Sequence, residues 1–227
     1  ALADKVRVAA DVARAVDAAH GKGLIHRDLK PANVMVERRG DAFVAFVLDF
    51  GIAREEHVRD GTETGTVMGT LSYLSPEQAR GAVSQLDRRS DVYGLGATFY
   101  ALLAGCPPFA QSAGPEVVWK VVHEEPRPLR RRDPDLPRDL ETIVMRCLEK
   151  DPARRYQSAA ELADDLERFL HGQPILARRA SPLYRFGKLV RRHRGASVAA
   201  ALATLLVAVA LGVSLHAVGD ARDRSAL

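Results

Sequence analysis

Cysteine is scarce in this chain of 227 residues: Cys106 and Cys147 stand far apart, in apolar surroundings, with no C-x-x-C or Cys/His spacing. That excludes a disulfide framework and a cysteine-ligated zinc site, and suits two small buried side chains in a reducing compartment. A basic-then-apolar leader is missing too. The chain starts Ala-Leu-Ala-Asp with no methionine, which reads as a fragment. Acidic residues are absent from 178–194, where Arg178, Arg179, Arg185, Lys188, Arg191, Arg192 and Arg194 accumulate. The net charge of +4 therefore resides in one segment, and the remainder is net acidic. A nucleic-acid-binding domain is excluded on that distribution. Finally, Ala196–Val218 lacks Asp, Glu, Lys and Arg altogether.

What is present suits one sizeable core plus an accessory segment, since 47% apolar and 27% charged residues are ordinary globular values. Residues 2–20 carry Val6, Ala9, Ala10, Ala13 and Val16 at helical spacing, and Gly21 and Gly23 mark the end. Val34–Val36 and Phe43–Leu48 are β-like runs around a Glu-Arg-Arg-Gly-Asp spacer, which predicts a small antiparallel hairpin. Residues 52–70 are polar and rich in Thr and Gly, as a loop is. Asp91 opens an apolar run, Val92–Ala104, which reads as a buried helix ended by Gly105. Glu116–His123 is a short helix with the single tryptophan, Trp119. Leu140, Ile143, Val144, Cys147 and Leu148 stripe another helix. Ser158 and Glu161 have capping-box spacing before the stripe Leu162, Leu166 and Phe169. Gly172 closes the globular part, and Arg130–Arg132 read as a solvated basic turn, with contact to acidic substrate or lipid as the alternative.

The stretch His26-Arg27-Asp28-Leu29-Lys30-Pro31-Ala32-Asn33 carries the chemistry. A carboxylate at Asp28 can take or orient the proton of an attacking hydroxyl. Lys30, two residues on, can reach a phosphoryl group in transfer. The amide oxygen of Asn33 can hold Mg²⁺ together with a carboxylate from elsewhere. In this pattern, H-R-D-L-K-P-x-N, the stretch resembles the catalytic loop of serine/threonine protein kinases. Asp49-Phe50-Gly51 lies 21 residues beyond Asp28, where that family keeps its Mg²⁺-binding aspartate. Gly69-Thr70-Leu71-Ser72-Tyr73-Leu74-Ser75-Pro76-Glu77 is similar to the end of the family's activation segment. The wording Tyr73–Gly81 looks like the bacterial subgroup.

The resemblance implies further roles. Thr70 would bond to Asp28 and Lys30, and Thr62 and Thr64 match the T-x-T pair that such kinases phosphorylate, with Arg27 as the receiving cation. Asp91 would tie down the catalytic-loop backbone, with a plain N-cap as the simpler alternative. Asp151-Pro152-Ala153-Arg154-Arg155 resembles D-P-x-x-R, so Arg155 should meet Glu77. Lys30, Asn33 and Asp49 would contact ATP and Mg²⁺.

Residues 196–218 are long enough to cross a bilayer, and Arg191, Arg192 and Arg194 precede them, whereas Arg222 and Arg224 are balanced by Asp220 and Asp223. The positive-inside pattern places the preceding domain in the cytoplasm of a single-pass cell-membrane protein. No G-x-G-x-x-G is present, and none of the six lysines lies in a V-A-x-K strand before residue 26. The expected fold is thus mainly α: a protein-kinase-like C-terminal lobe (1–172), a helical bundle with a small β-hairpin. A basic linker (173–195), a single transmembrane helix (196–218) and the start of an extracytoplasmic tail (219–227) follow, with the small N-terminal lobe absent. The expected activity is transfer of the γ-phosphate of Mg·ATP to Ser/Thr of protein substrates, negligible in the fragment alone, with homodimerisation open and nucleic acid excluded as a partner. A catalytically inactive membrane-tethered scaffold is the alternative, disfavoured because Asp28, Asn33 and Asp49 are all retained. Small-molecule phosphotransferases lack the G-T-x-x-Y-x-S-P-E and D-P-x-x-R elements.

Overall fold

A computed structural model describes residues 1–50 and 71–178. Helix α1 spans Leu2–His20 and buries Val6, Ala10, Ala13 and Val16, spaced so that one stripe faces inward. Gly23, at φ 77°, supplies the left-handed residue that turns the chain back. Strands β1 (Val34–Arg39) and β2 (Ala42–Val47) pair antiparallel in register Val34↔Val47 to Arg39↔Ala42. The polar Glu-Arg-Arg expected as spacer is part of β1. Backbone pairing needs no apolar side chains on an exposed arm, and Gly40, at φ 61°, allows a tight turn.

The remaining helices are α2 (Pro76–Ala79), α3 (Arg88–Ala104), α4 (Pro115–His123), α5 (Arg138–Cys147) and α6 (Ala159–Leu170). Helix α3 is the centre: Ser90 through Ala97, with Phe99 and Tyr100, are buried. Such a helix has no polar face and must be covered on every side. Its N-cap is Asp87, which accepts from the Arg89 amide at 2.8 Å, so the helix starts a turn earlier than the apolar run suggests. Gly105, at φ 74°, ends it in the left-handed conformation glycine favours.

Two glycines of α3 set its neighbours. A Cβ on Gly94 would stand 3.0 Å from the Leu29 Cβ, so this glycine seats the loop of His26–Asn33 on the helix. A Cβ on Gly96 would stand 2.3 Å from the Cys147 Cβ, which is how closely α5 approaches. Cys147 is buried as expected, whereas Cys106 is only half-buried. At the N-terminus of α6, Ser158 caps the Glu161 amide at 3.2 Å, but the Glu161 carboxylate takes the Gln157 amide instead of closing a full capping box.

The transmembrane part of the expected fold is corrected. Among the described residues no helix is long and apolar enough to cross a membrane. Helix α1 has the length, 19 residues, but carries Asp4, Lys5, Arg7, Asp11, Arg14 and Asp17. Residues 196–218, expected as the span, lie outside the described residues, as do the linker and tail beyond 178.

Gly96→Ala should lower the unfolding free energy by about 1–3 kcal/mol, because the added methyl must push α5 away from α3. Urea denaturation followed by circular dichroism reads this directly, and an unchanged midpoint would contradict the packing described.

Candidate active site

The loop from His26 to Asn33 is held by one buried carboxylate. Asp91, 1% exposed, accepts the His26 amide through Oδ2 and the Arg27 amide through Oδ1, each at 2.7 Å. The His20 Nε2 at the end of α1 lies 2.8 Å from Asp91 Oδ2. Arg27 has φ 65°, a left-handed conformation that costs a bulky side chain about 1–3 kcal/mol. The charge-assisted bond from its amide to Asp91 offsets that cost. The buried His26 ring reaches the Leu48 carbonyl at 2.8 Å and lies 4.7 Å from the Phe50 ring. Loop and hairpin end are thereby joined.

On this frame three of the expected site residues converge. Lys30 Nζ stands 3.0 Å from Asp28 Oδ2. The Asn33 amide nitrogen donates to the Asp28 carbonyl at 2.8 Å and approaches Asp28 Oδ2 at 3.3 Å. Both contacts use Nδ2, which leaves the amide oxygen as the atom able to meet a cation. The Leu48 amide donates to the Asn33 carbonyl at 2.9 Å, bringing the backbone just before Asp49 against the loop. Asp49 itself is exposed, with φ 53°. An amide oxygen and an exposed carboxylate on adjoining backbone are oxygen donors suited to a hard cation such as Mg²⁺. Among the described residues no group of three or more His, Cys, Asp or Glu side chains forms a metal cluster.

The segment after residue 70 is tied to the same loop. Ser75 caps α2, and Gln78 returns the favour by accepting from the Ser75 amide at 3.0 Å. The Gln78 side-chain amide then donates to the Arg27 carbonyl at 2.6 Å. Glu77 and Arg155 form a bidentate, fully buried pair, 2.7 and 2.9 Å, and Ser90 adds a hydroxyl bond to Glu77 at 2.7 Å. Arg155 spends its other N–H groups on the carbonyls of Glu149, Arg89 and Lys150, and its guanidinium stacks over Tyr93. Burial alone would raise the Glu77 carboxyl, but the Arg155 bonds and charge, with Ser90, hold it below its ordinary 4.5. Burial pushes Lys150 the other way, down to about 8, where it donates to the Val121 carbonyl beside the Phe109 ring.

Asp28, Lys30 and Asn33 are thus gathered, Arg27 and Asp91 brace them, and Glu77 pairs with Arg155. Thr62, Thr64 and Thr70 lie outside the described residues. Sequence reasoning missed His20, Gln78, Ser90 and Gly94. The Ser75-x-x-Gln78 spacing could have revealed the cap, but nothing local announces the reach to Arg27 across 51 residues.

The sequence model of the family described as protein kinase domain matches residues 3–166. Serine/threonine-protein kinase PknB of Mycobacterium tuberculosis is 43% identical over 171 residues, covering 74% of this chain and 26% of the relative. Serine/threonine-protein kinase pkn3 of Myxococcus xanthus is 45% identical over 169 residues, covering 71% and 30%. The crystal structure of the Mycobacterium tuberculosis PknI kinase domain is similar with a TM-score of 0.53 and 34% identity, over 72% of this chain and 54% of that one. The chain therefore spans about a quarter of the length of those curated relatives. The expected absence of the small lobe from this chain is corrected on this match, which takes residues 3–166, from α1 into α6, as protein kinase domain.

Arg155→Ala should destabilise the fold by about 3–5 kcal/mol, since it strands the Glu77 charge in the interior. A thermal midpoint within a degree or so of wild type would contradict this. The depressed Glu77 acidity has a pH consequence. Its contribution is fully present above the ordinary value of 4.5 and is lost as pH falls through the lower folded value. Glu77→Gln should therefore be less stable than wild type at pH 7, with the gap narrowing below about pH 4.5. A gap that stays constant over that acid range would contradict the assignment.

Proposed function

The chain belongs to the protein kinase family, and from that membership we propose that it carries the phosphoryl-transfer residues of a bacterial-type serine/threonine protein kinase. The observation that supports this best is the grouping of Lys30 and Asn33 on Asp28, the first at its carboxylate and the second at its carbonyl, on a loop fastened by Asp91. A seryl or threonyl hydroxyl of a protein substrate attacks the γ-phosphorus of ATP. The bond to the ADP oxygen breaks, and the hydroxyl proton passes to Asp28. Lys30, 3.0 Å from Asp28, places a cation beside the oxygen that attacks and can swing to the phosphoryl group in transfer. Asn33, anchored through its nitrogen, would offer its amide oxygen to Mg²⁺, with Asp49 as the second donor. Mg²⁺ bound there would neutralise phosphate charge. Thr70 and the segment leading to Glu77 receive the substrate, and Thr62 and Thr64 are the sites where phosphate would meet Arg27. Lys30, rather than an arginine or alanine pattern, favours Ser/Thr over Tyr as acceptor.

In the natural full-length protein, Asp28→Asn should reduce transfer of labelled γ-phosphate to a protein substrate by about a thousandfold or more, with affinity for ATP little changed. Retained transfer would remove Asp28 from the reaction. A lost affinity for ATP with unchanged turnover would give it a binding role instead.

A further inference from the structure

A concavity of about 570 Å³ lies between the loop after α3, the end of α4 and the segment Pro126–Arg132. It contains none of the residues assigned to phosphoryl transfer. Its walls include Phe109, Pro126, Pro128 and Met145, and its cations are dominated by Arg127, Arg131 and Arg132.

The backbone that presents these arginines is fixed. The Tyr100 hydroxyl, rising from buried α3, donates to the Arg127 carbonyl at 2.8 Å. Leu129 is 2% exposed, and the Arg130 amide donates to Glu141 at 2.8 Å. The Arg130 guanidinium turns away to the Leu136 and Pro134 carbonyls, both at 3.0 Å. By contrast, the Arg127 guanidinium donates to the Arg131 carbonyl at 3.3 Å, and Arg132 bonds to the Tyr100 hydroxyl. Among the described residues no carboxylate forms an ion pair with Arg127, Arg131 or Arg132. Two exposed carboxylates, Glu124 and Glu125, also line the groove, so its charge is set by three arginines against two acids, and Lys120 is held by Glu116 at 2.9 Å.

We propose that this groove docks an acidic segment of a protein partner. Three guanidinium groups on a rigid backbone match carboxylates, which accept the two parallel N–H groups of the fork. Half-buried Pro128 and Met145 offer apolar surface to the side-chain stems of an extended peptide. A concave site fits a chain that can enter it and not a flat bilayer, so the shape selects a polypeptide over anionic lipid. This docking does not depend on phosphoryl transfer and goes beyond the proposed catalytic activity.

The test is fluorescence anisotropy of a labelled poly-glutamate peptide titrated with the protein, against a poly-glutamine peptide of equal length. Saturable binding of the glutamate peptide only is expected, weakened about tenfold in the double variant Arg131→Ala/Arg132→Ala and by added salt. The equally charge-reduced double variant Arg191→Ala/Arg192→Ala should bind as wild type. Both groove arginines are exposed, so the alanine variant should fold. The variant Arg131→Lys/Arg132→Lys, which keeps the charge, should bind between wild type and the alanine form. Binding of poly-glutamine, an equal loss in the Arg191/Arg192 variant, or an alanine variant as good as wild type would overturn the proposal. So would co-sedimentation with phosphatidylserine vesicles that depends on Arg131 and Arg132 in the absence of any peptide binding. None of these outcomes bears on the kinase reading.

Discussion

The Asp91 carboxylate is buried almost completely, yet it sits where two consecutive backbone amides, those of His26 and Arg27, point at it from 2.7 Å. A carboxylate stripped of water is stable only if its lone pairs are filled. Here the filling is done by the backbone of the loop that bears Asp28, and by the His20 ring. The dependence runs in both directions. The loop needs the carboxylate because Arg27 adopts a conformation that side-chain-bearing residues avoid. The carboxylate needs the loop because nothing else replaces two amide donors. Helix α3, buried along most of its length, supplies a base that does not yield.

The same helix anchors a second buried acid one step removed. Ser90, adjacent to Asp91, bonds to Glu77, whose partner Arg155 also takes the Arg89 carbonyl. Gln78, next to Glu77, returns to the Arg27 carbonyl. Catalytic loop, α2 and the start of α3 therefore form one hydrogen-bonded unit built around two carboxylates, so that displacement of any member exposes an unmatched charge. Gly94 lets Leu29 lie flat on α3 and completes the seat. Stability and alignment of Asp28, Lys30 and Asn33 are for this reason the same problem.

Much of this was legible from residue order, because function constrains spacing. Asp28, Lys30 and Asn33 must share one loop, and the motif could be read as chemistry before any fold was known. The helical stripes of α1, α5 and α6 and the position of the hairpin followed from periodicity. The extent of β1 did not, since Glu37, Arg38 and Arg39 look like a turn and are held in the strand by backbone pairing alone. The apolar run marks the start of α3 a turn too late, because polar Arg88 to Ser90 belong to its first turn. His20, Gln78 and Ser90 were invisible because their partners are distant in sequence, and a short polar side chain gives no sign of the acceptor it will meet. The membrane helix inferred from 196–218 rested on composition and flanking charge, neither of which bears on the described residues.

Asp91 is the fastening of the His26–Asn33 loop. Hydrogen exchange at the His26 and Arg27 amides, compared between wild type and Asp91→Ala, tests it most directly. Both amides should be strongly protected in wild type and exchange orders of magnitude faster in the variant, while amides in the middle of α3 keep their protection. Equal protection of His26 and Arg27 in the two proteins would show that something other than this carboxylate holds the loop.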